Sequence, residues 1–379
     1  MGRAHGRLSA FPVSFLSRSV IEAFVRKYDL ETARVDEVVI GNAVSAGTGQ
    51  NFVRKALIEA GLPETTPGYS VGNVCASGLQ AVFSARQAVL AGEAQVIVAA
   101  GAESISHMPE YIFKKQQEIK KIKGLTEGLM HDGLLCSITG RWMGALCEDM
   151  ARREKITKKE QDDYAFGSYQ KLETAYEVAA LQEEIIPLKL TGDKIFLKDE
   201  TFRKGVKRDV FDSFQSAFEY QGTITAGNSS APCDGAAGML LASSGAVQRY
   251  AFKPLARIAA CVSMAANPKN VFELAPDAIN ACARKAGLPL QQIDLFEISE
   301  AFAAQMVFLQ RKLPFLERKM NVFGGDIALG HPLGAAGIRG AVTLVHAMRQ
   351  RRKRYGLACV CLGGGGALAM CLENQEWEA

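Results

Sequence analysis

The sequence predicts an α/β protein of two duplicated α/β halves, with a helical region inserted into the first. Three observations carry that prediction. Apolar residues alternate between helical and strand periodicity along most of the chain. One part of the chain repeats at a spacing of 258 residues, and composition changes between about residues 111 and 222.

The elements follow in order. Residues 19–28 (SVIEAFVRKY) present one apolar face at helical spacing, and Val35–Ile40 reads as a strand. Ser77–Leu90 is a second helix, ended near Gly92, and Gln95–Ala100 is a buried strand. The stretch from Glu110 to Gly222 is rich in Lys, Glu and Gln, with a helix over Lys158–Ala180, and reads as an insertion. Thr223–Leu241 is rich in small residues and runs into another apolar strand. On the 258-residue shift, Ala23, Arg26, Lys27, Leu30, Asp36 and Ile40 fall on Ala281, Arg284, Lys285, Leu288, Asp294 and Ile298. A looser match, with an offset drifting by a few residues, pairs the Ser77 helix and the Gln95–Ala100 strand with a helix from Ala336 and a strand at Leu357–Cys361. The halves are expected to span residues 1–249 and 250–379, with the active site between corresponding strand ends.

Composition bounds the function. Of 379 residues, 48% are hydrophobic and 22% charged, which excludes disorder, and 36 Gly with 12 Pro are too few and scattered for a collagen-like chain. A net charge of +4 gives no reason to expect nucleic acid. The densest basic run, Arg349–Arg354, reads as a solvated helix end, with a phosphate-binding patch as the sharper alternative. No window reaches the roughly 18 apolar residues of a membrane span. Nine scattered Cys, an odd number, suit reduced thiols and a cytoplasmic location. The first 21 residues, with Arg3, Arg7, Arg18 and no acid, resemble a mitochondrial transit peptide in composition. Cys359 and Cys361 have no matching Cys or His cluster, so no metal is expected.

Three segments could carry chemistry. Cys75, in VGNVCASGL, ends a strand-like run and stands where a helix opens, so unpaired N–H groups and the helix dipole favour its thiolate; a buried structural thiol is the other reading. His331, in GGDIALGHPLGAAG, is the one His of five set between glycines, with Pro332 fixing the turn. It suits a base for a thiol, or simply a loop imidazole bonded to backbone. Cys361 leaves a strand into four glycines, whose N–H groups can hold an anion. Cys359 is expected to face the core. The run lacks the Lys-Ser/Thr ending of a P-loop and the spacing of a dinucleotide fingerprint. Ser299 and Glu300, after the second-copy strand, could reach the same cleft, and Ala226–Ala237 forms a small-residue loop.

Taken together, the Cys75 segment, GNSSAPCDGAA (227–237), SEAFAAQ (299–305), Gly324–Gly337 and the Cys361 glycine run resemble the thiolase family, in the family's order. The resemblance implies a thiolase-like fold, homodimers or homotetramers, and Claisen chemistry on coenzyme A thioesters, with acyl-CoA and CoA as partners and no permanently bound cofactor. Carried over by motif, Cys75 would be the acyl-accepting nucleophile, His331 its activator and an oxyanion donor, and Cys361 the acid/base at the α-carbon. The N–H groups of Cys75 and Gly363 would form a second oxyanion hole, and Ser230 would lie by the pantetheine arm.

Three departures accompany the resemblance. Ser299 stands where the family has a water-holding Asn, and Asp326 where Ala is common. The chain begins near the family's Gly-Arg segment (Gly6-Arg7), so the opening strand of the first sheet is expected to be missing. Met130–Leu134 and Trp142–Ala145 resemble the short-chain biosynthetic branch, although Trp142 stands where that branch has His. The implied reaction is acetoacetyl-CoA plus CoA to two acetyl-CoA, or the reverse. The alternatives are an impaired CoA-binding or assembly protein on the same scaffold and, behind it, a decarboxylating ketoacyl synthase.

Overall fold

The computed structural model describes residues 1–30, 34–112, 126–190, 192 and 195–377. Part of the expected insertion, residues 113–125, lies outside them, as do the last two residues.

Two mixed sheets organise the chain. The first contains β1 (Gly2–Arg3), β2 (Glu37–Gly41), β3 (Gly68–Val71), β4 (Val96–Glu103) and β5 (Cys233–Ala242), in the order β1-β5-β4-β2-β3. The second contains β6 (Ala256–Ala265), β7 (Leu295–Ile298), β8 (Tyr355–Leu362) and β9 (Gly366–Asn374), in the order β6-β9-β8-β7. In each, a parallel pair (β2 with β4, β7 with β8) adjoins an antiparallel one (β4 with β5, β8 with β9).

Helices α1 (Val13–Tyr28) and α2 (Phe52–Glu59) cover the outer face of the first sheet. Helices α3 (Ser77–Ala91) and α8 (Ala336–Gln350) lie between the sheets, and α6 (Ala275–Lys285) and α7 (Ala303–Lys312) cover the outer face of the second. Strand alternation produces this layering. Val38 and Ile40 pack under α1 and α2 while Val39 points to the central helices. In β8, Ala358, Val360 and Leu362 face the centre, and Leu357, Cys359 and Cys361 face outward. Cys359 faces the core as expected, and Cys361 shares that face, because residues two apart on a strand cannot diverge.

The duplication is more regular than the sequence match. Helices α3 and α8 are both 15 residues long, strands β4 and β8 both 8, and both pairs begin 259 residues apart. The drift read from apolar patterns disappears because β8 starts at Tyr355, whose side chain is only partly buried. Helix α1 starts at Val13, six residues before the periodic stretch, since buried Ser14 and Ser17 disguise its apolar face.

Where the opening strand was expected to be absent, two residues pair antiparallel with β5, Gly2 with Asp234 and Arg3 with Cys233. Beyond them, β5 borders a cavity of about 1000 Å³ walled by α1 and by β6. The inserted helices α4 (Met143–Arg153) and α5 (Lys158–Glu177) leave the first half and pack on the second, Leu146 and Met150 entering its outer core. Arg349–Arg354 ends α8 at the surface, where Arg349 pairs with Glu376 and Arg354 with Glu373.

Candidate active site

Cys75 follows a backbone conformation that few residues adopt. Val74 has φ +47°, unusual for a β-branched side chain, and the strain turns the chain from β3 into α3 within a few residues. Ser77 holds that turn, its hydroxyl donating to the Val74 carbonyl (2.7 Å) and accepting from the Asn73 N–H (2.8 Å). The end of β2 abuts it: a Cβ on Gly41 would lie 2.1 Å from the Ser77 carbonyl carbon.

The second half meets the turn from the opposite side. A Cβ on Gly78 would reach the Gly334 carbonyl oxygen at 2.8 Å, and one on Gly337 would lie 3.6 Å from the Cys75 carbonyl oxygen. Glycines thus let the His331 loop and the start of α3 touch through their backbones. Buried Glu103, at the end of β4, joins the halves by accepting from the N–H groups of Ala43 (2.9 Å) and Gly334 (2.8 Å) and from the Asn42 amide (2.8 Å). Burial, only partly offset by these donors, raises Glu103 to about 7.

His331 is 6% exposed. Its backbone N–H donates to Ala231 (2.8 Å), which ties the loop to the 226–237 segment. Its Nδ1 lies 3.1 Å from Asp326 Oδ2, and its Nε2 is buried, with Cys75 the other side chain that hydrogen-bonds the ring. Burial alone would lower the imidazole's pKa, but the Cys75 thiol and Asp326 outweigh it and raise it to about 10.

Asp326 is completely buried. Arg339 Nη2 donates to its Oδ1 (2.7 Å), and the Ser299 hydroxyl donates to its Oδ2. Burial would raise this carboxyl, yet Arg339, His331 and Ser299 hold it well below the usual carboxylate range. Sequence reading marked Asp326 only as an added charge and missed Arg339, because the contacts join residues on different elements.

Cys361 is the penultimate residue of β8 and is buried. Burial first, then its electrostatic coupling to Cys75, pushes its thiol up to about 12, suited to a group that holds a proton until a carbanion demands it. Gly363 follows: a Cβ there would lie 3.6 Å from Val74 and 3.7 Å from Met143 Sδ, beside the Cys75 turn. The structure therefore gathers Cys75, His331, Cys361 and Gly363. Ser299 reaches the group through Asp326. Ser230 stands one step out, its hydroxyl donating to the Ala301 carbonyl (3.1 Å). Glu300, the other candidate after β7, braces the loop from behind by accepting from Tyr164 (2.7 Å), Ser168 (2.9 Å) and Asn321 (2.7 Å).

The insertion roofs the site. Leu129 packs with Leu333 and Cys75, and a Cβ on Gly133 would meet Leu333 at 2.9 Å. Trp142 ends a two-residue strand beside them and is 37% exposed.

The chain is similar to known proteins over nearly its whole length. Residues 1–245 match the model of the thiolase N-terminal domain and residues 252–374 that of the thiolase C-terminal domain. The chain is 38% identical to an acetyl-CoA acetyltransferase of Escherichia coli over 99% of its length and 96% of the relative's, and 37% identical to one of Chromobacterium violaceum over 99% and 97%. Among solved structures it resembles human mitochondrial 3-ketoacyl-CoA thiolase, also seen in complex with CoA, at TM-score 0.94 and 31% identity; the first covers 99% of this chain and 96% of that one. The Bacillus anthracis acetyl-CoA acetyltransferase matches at TM-score 0.93 and 30% identity, over 98% and 95% of the two chains.

Proposed function

The chain belongs to the thiolase family, and from that premise we propose that it catalyses reversible acyl transfer between a 3-ketoacyl-CoA and CoA, with acetoacetyl-CoA as the short-chain substrate. The observation that carries the reading is the meeting of Cys75, His331 and Cys361, from both halves, at one strained turn.

In the thiolysis direction, the Cys75 thiolate attacks the C3 carbonyl of the ketoacyl thioester. Its oxyanion is held by the N–H groups of Cys75 and Gly363. Collapse breaks the C2–C3 bond and leaves the acyl group on sulfur, while the departing C2 takes a proton from Cys361 and leaves as acetyl-CoA. His331, carrying its proton, faces the thioester oxygen on which enolate charge develops. The Cys361 thiolate left behind then takes the proton of the thiol of free CoA as its sulfur attacks the acyl-cysteine, and Cys75 leaves as thiolate, so both cysteines return to their starting states. The reverse sequence forms the carbon–carbon bond. Splitting the labour suits the chemistry, since acyl transfer needs a nucleophile and bond cleavage needs a separate acid. Ser230 is proposed for the pantetheine side. Names of relatives favour a short acyl chain, and retention of all three reactive residues speaks against an impaired binding scaffold.

The test is loss of the acetoacetyl-CoA enolate absorbance in the presence of CoA, with Cys75→Ala as control. Cys75-dependent turnover and an acyl adduct in the intact mass, absent from the variant, are expected. An adduct on Cys75→Ala would overturn the assignment of the nucleophile.

A further inference from the structure

We propose that Asp326 is a positioning residue for the Cys75–His331 pair, holding the imidazole by Nδ1 so that Nε2 serves Cys75 and the ring keeps its proton in the resting enzyme. What the pair accomplishes rests on the thiolase reading; the geometry does not.

The contacts form a chain through two elements of the second half. Ser299, just beyond β7, and Arg339, on α8, both donate to Asp326, and the remaining capacity of Oδ2 meets His331 Nδ1. An unpaired carboxylate this deep would be costly, and Arg339 balances it. With Nδ1 committed to a carboxylate, the ring has one tautomer when neutral and two donors when charged. In both states Nε2 is the nitrogen left for chemistry with Cys75.

The surrounding charges agree. Those bearing on the ring are Cys75, across the site, and Asp326. Arg339 reaches beyond Asp326 to Glu297 (3.5 Å), a carboxyl that burial raises well above its ordinary value. Cys361 couples to Cys75, and Cys233 to Asp326; burial raises both thiols. Asp326 is thus the carboxylate next to the ring that stays charged. Ser299 acquires a role from the same geometry: its hydroxyl proton goes to Asp326, and the pair works as a unit behind the imidazole.

The experiment uses the whole protein labelled with ¹³C at histidine Cε1. The chain has five His, and the His331 signal is identified by its loss in His331→Gln. In the wild type His331 should remain protonated beyond about pH 8, and in Asp326→Asn its midpoint should fall by about one pH unit or more. At about pH 7, iodoacetamide should alkylate Cys75 roughly 10-fold more slowly in Asp326→Asn, and kcat should fall with KM within about twofold, as for loss of a residue behind a catalytic group. Added to His331→Gln, Asp326→Asn should change alkylation no further. A wild-type His331 titrating near its ordinary value would overturn the proposal, as would a folded Asp326→Asn with wild-type titration and alkylation. If that variant fails to fold, the wild-type titration decides. Neither titration nor alkylation needs turnover. A protein showing both effects but inert on acetoacetyl-CoA would support the positioning role and refute the substrate assignment.

Discussion

Ser299 shows how a single side chain changes meaning with its neighbour. Its hydroxyl donates to a buried carboxylate, and a hydrogen bond to a charged group contributes more than a neutral one. Ser299→Ala is expected to lower stability by about 1.5–3 kcal/mol, read by chemical denaturation. The His331–Asp326 pair sets two opposite pH dependences. The folded pKa of His331 is raised to about 10, so its contribution is complete below its unfolded value and lost as pH rises towards 10. That of Asp326 is depressed, so its contribution is present above the usual carboxylate range and lost as pH falls below that range towards the depressed folded value. His331→Gln should therefore flatten the alkaline loss in a denaturation series against pH and leave acid unfolding to Asp326. Residue types and motif order made Cys75, His331 and Cys361 legible. The hydrogen bond between positions 326 and 331 was not, because an Asp five residues before a His has no fixed direction until the loop folds.

Elements place these residues through close backbone approach. A Cβ at position 41 would fall inside the backbone where α3 begins, 2.1 Å from the Ser77 carbonyl carbon. Gly41→Ala should cost about 1–3 kcal/mol or more, since overpacking against backbone cannot be relieved by a rotamer change. It should also lower thiolysis beyond the loss of folded protein, because the displaced turn carries Cys75; melting temperature and kcat measured together would show this. Strand and helix identity were readable from periodicity, and α3 ends where Gly92 predicts, in the left-handed conformation. The start of α1 was hidden because Ser14 and Ser17 are buried against the expectation for their type.

At the scale of the molecule, the two halves are joined by a carboxylate. Glu103→Ala would strand buried donors on Asn42, Ala43 and Gly334, at a cost of several kcal/mol by the usual penalty for unsatisfied groups. Denaturation monitored separately in the two halves should lose its coincidence. Burial also raises Glu184, between the inserted region and α8, to about 7, as it does Glu103. Both folded values lie above the unfolded ones. Their contributions are complete below about 4.5 and lost as pH rises through 7. Glu184→Gln should reduce the fall of stability between pH 5 and 8 by at most about 1.4 kcal/mol per pH unit, the slope of one proton.

The chain by itself determined the alternation of elements, the duplication, the family and the three candidate reactive residues, because periodicity and short motifs are local properties. Only the tertiary structure decided that two residues of β1 pair along β5, and that Asp326 binds His331 with Ser299 and Arg339 behind it. Those facts depend on which strand ends and loops meet across two sheets. Hydrogen bonds between side chains on separate elements have no sequence spacing to reveal them.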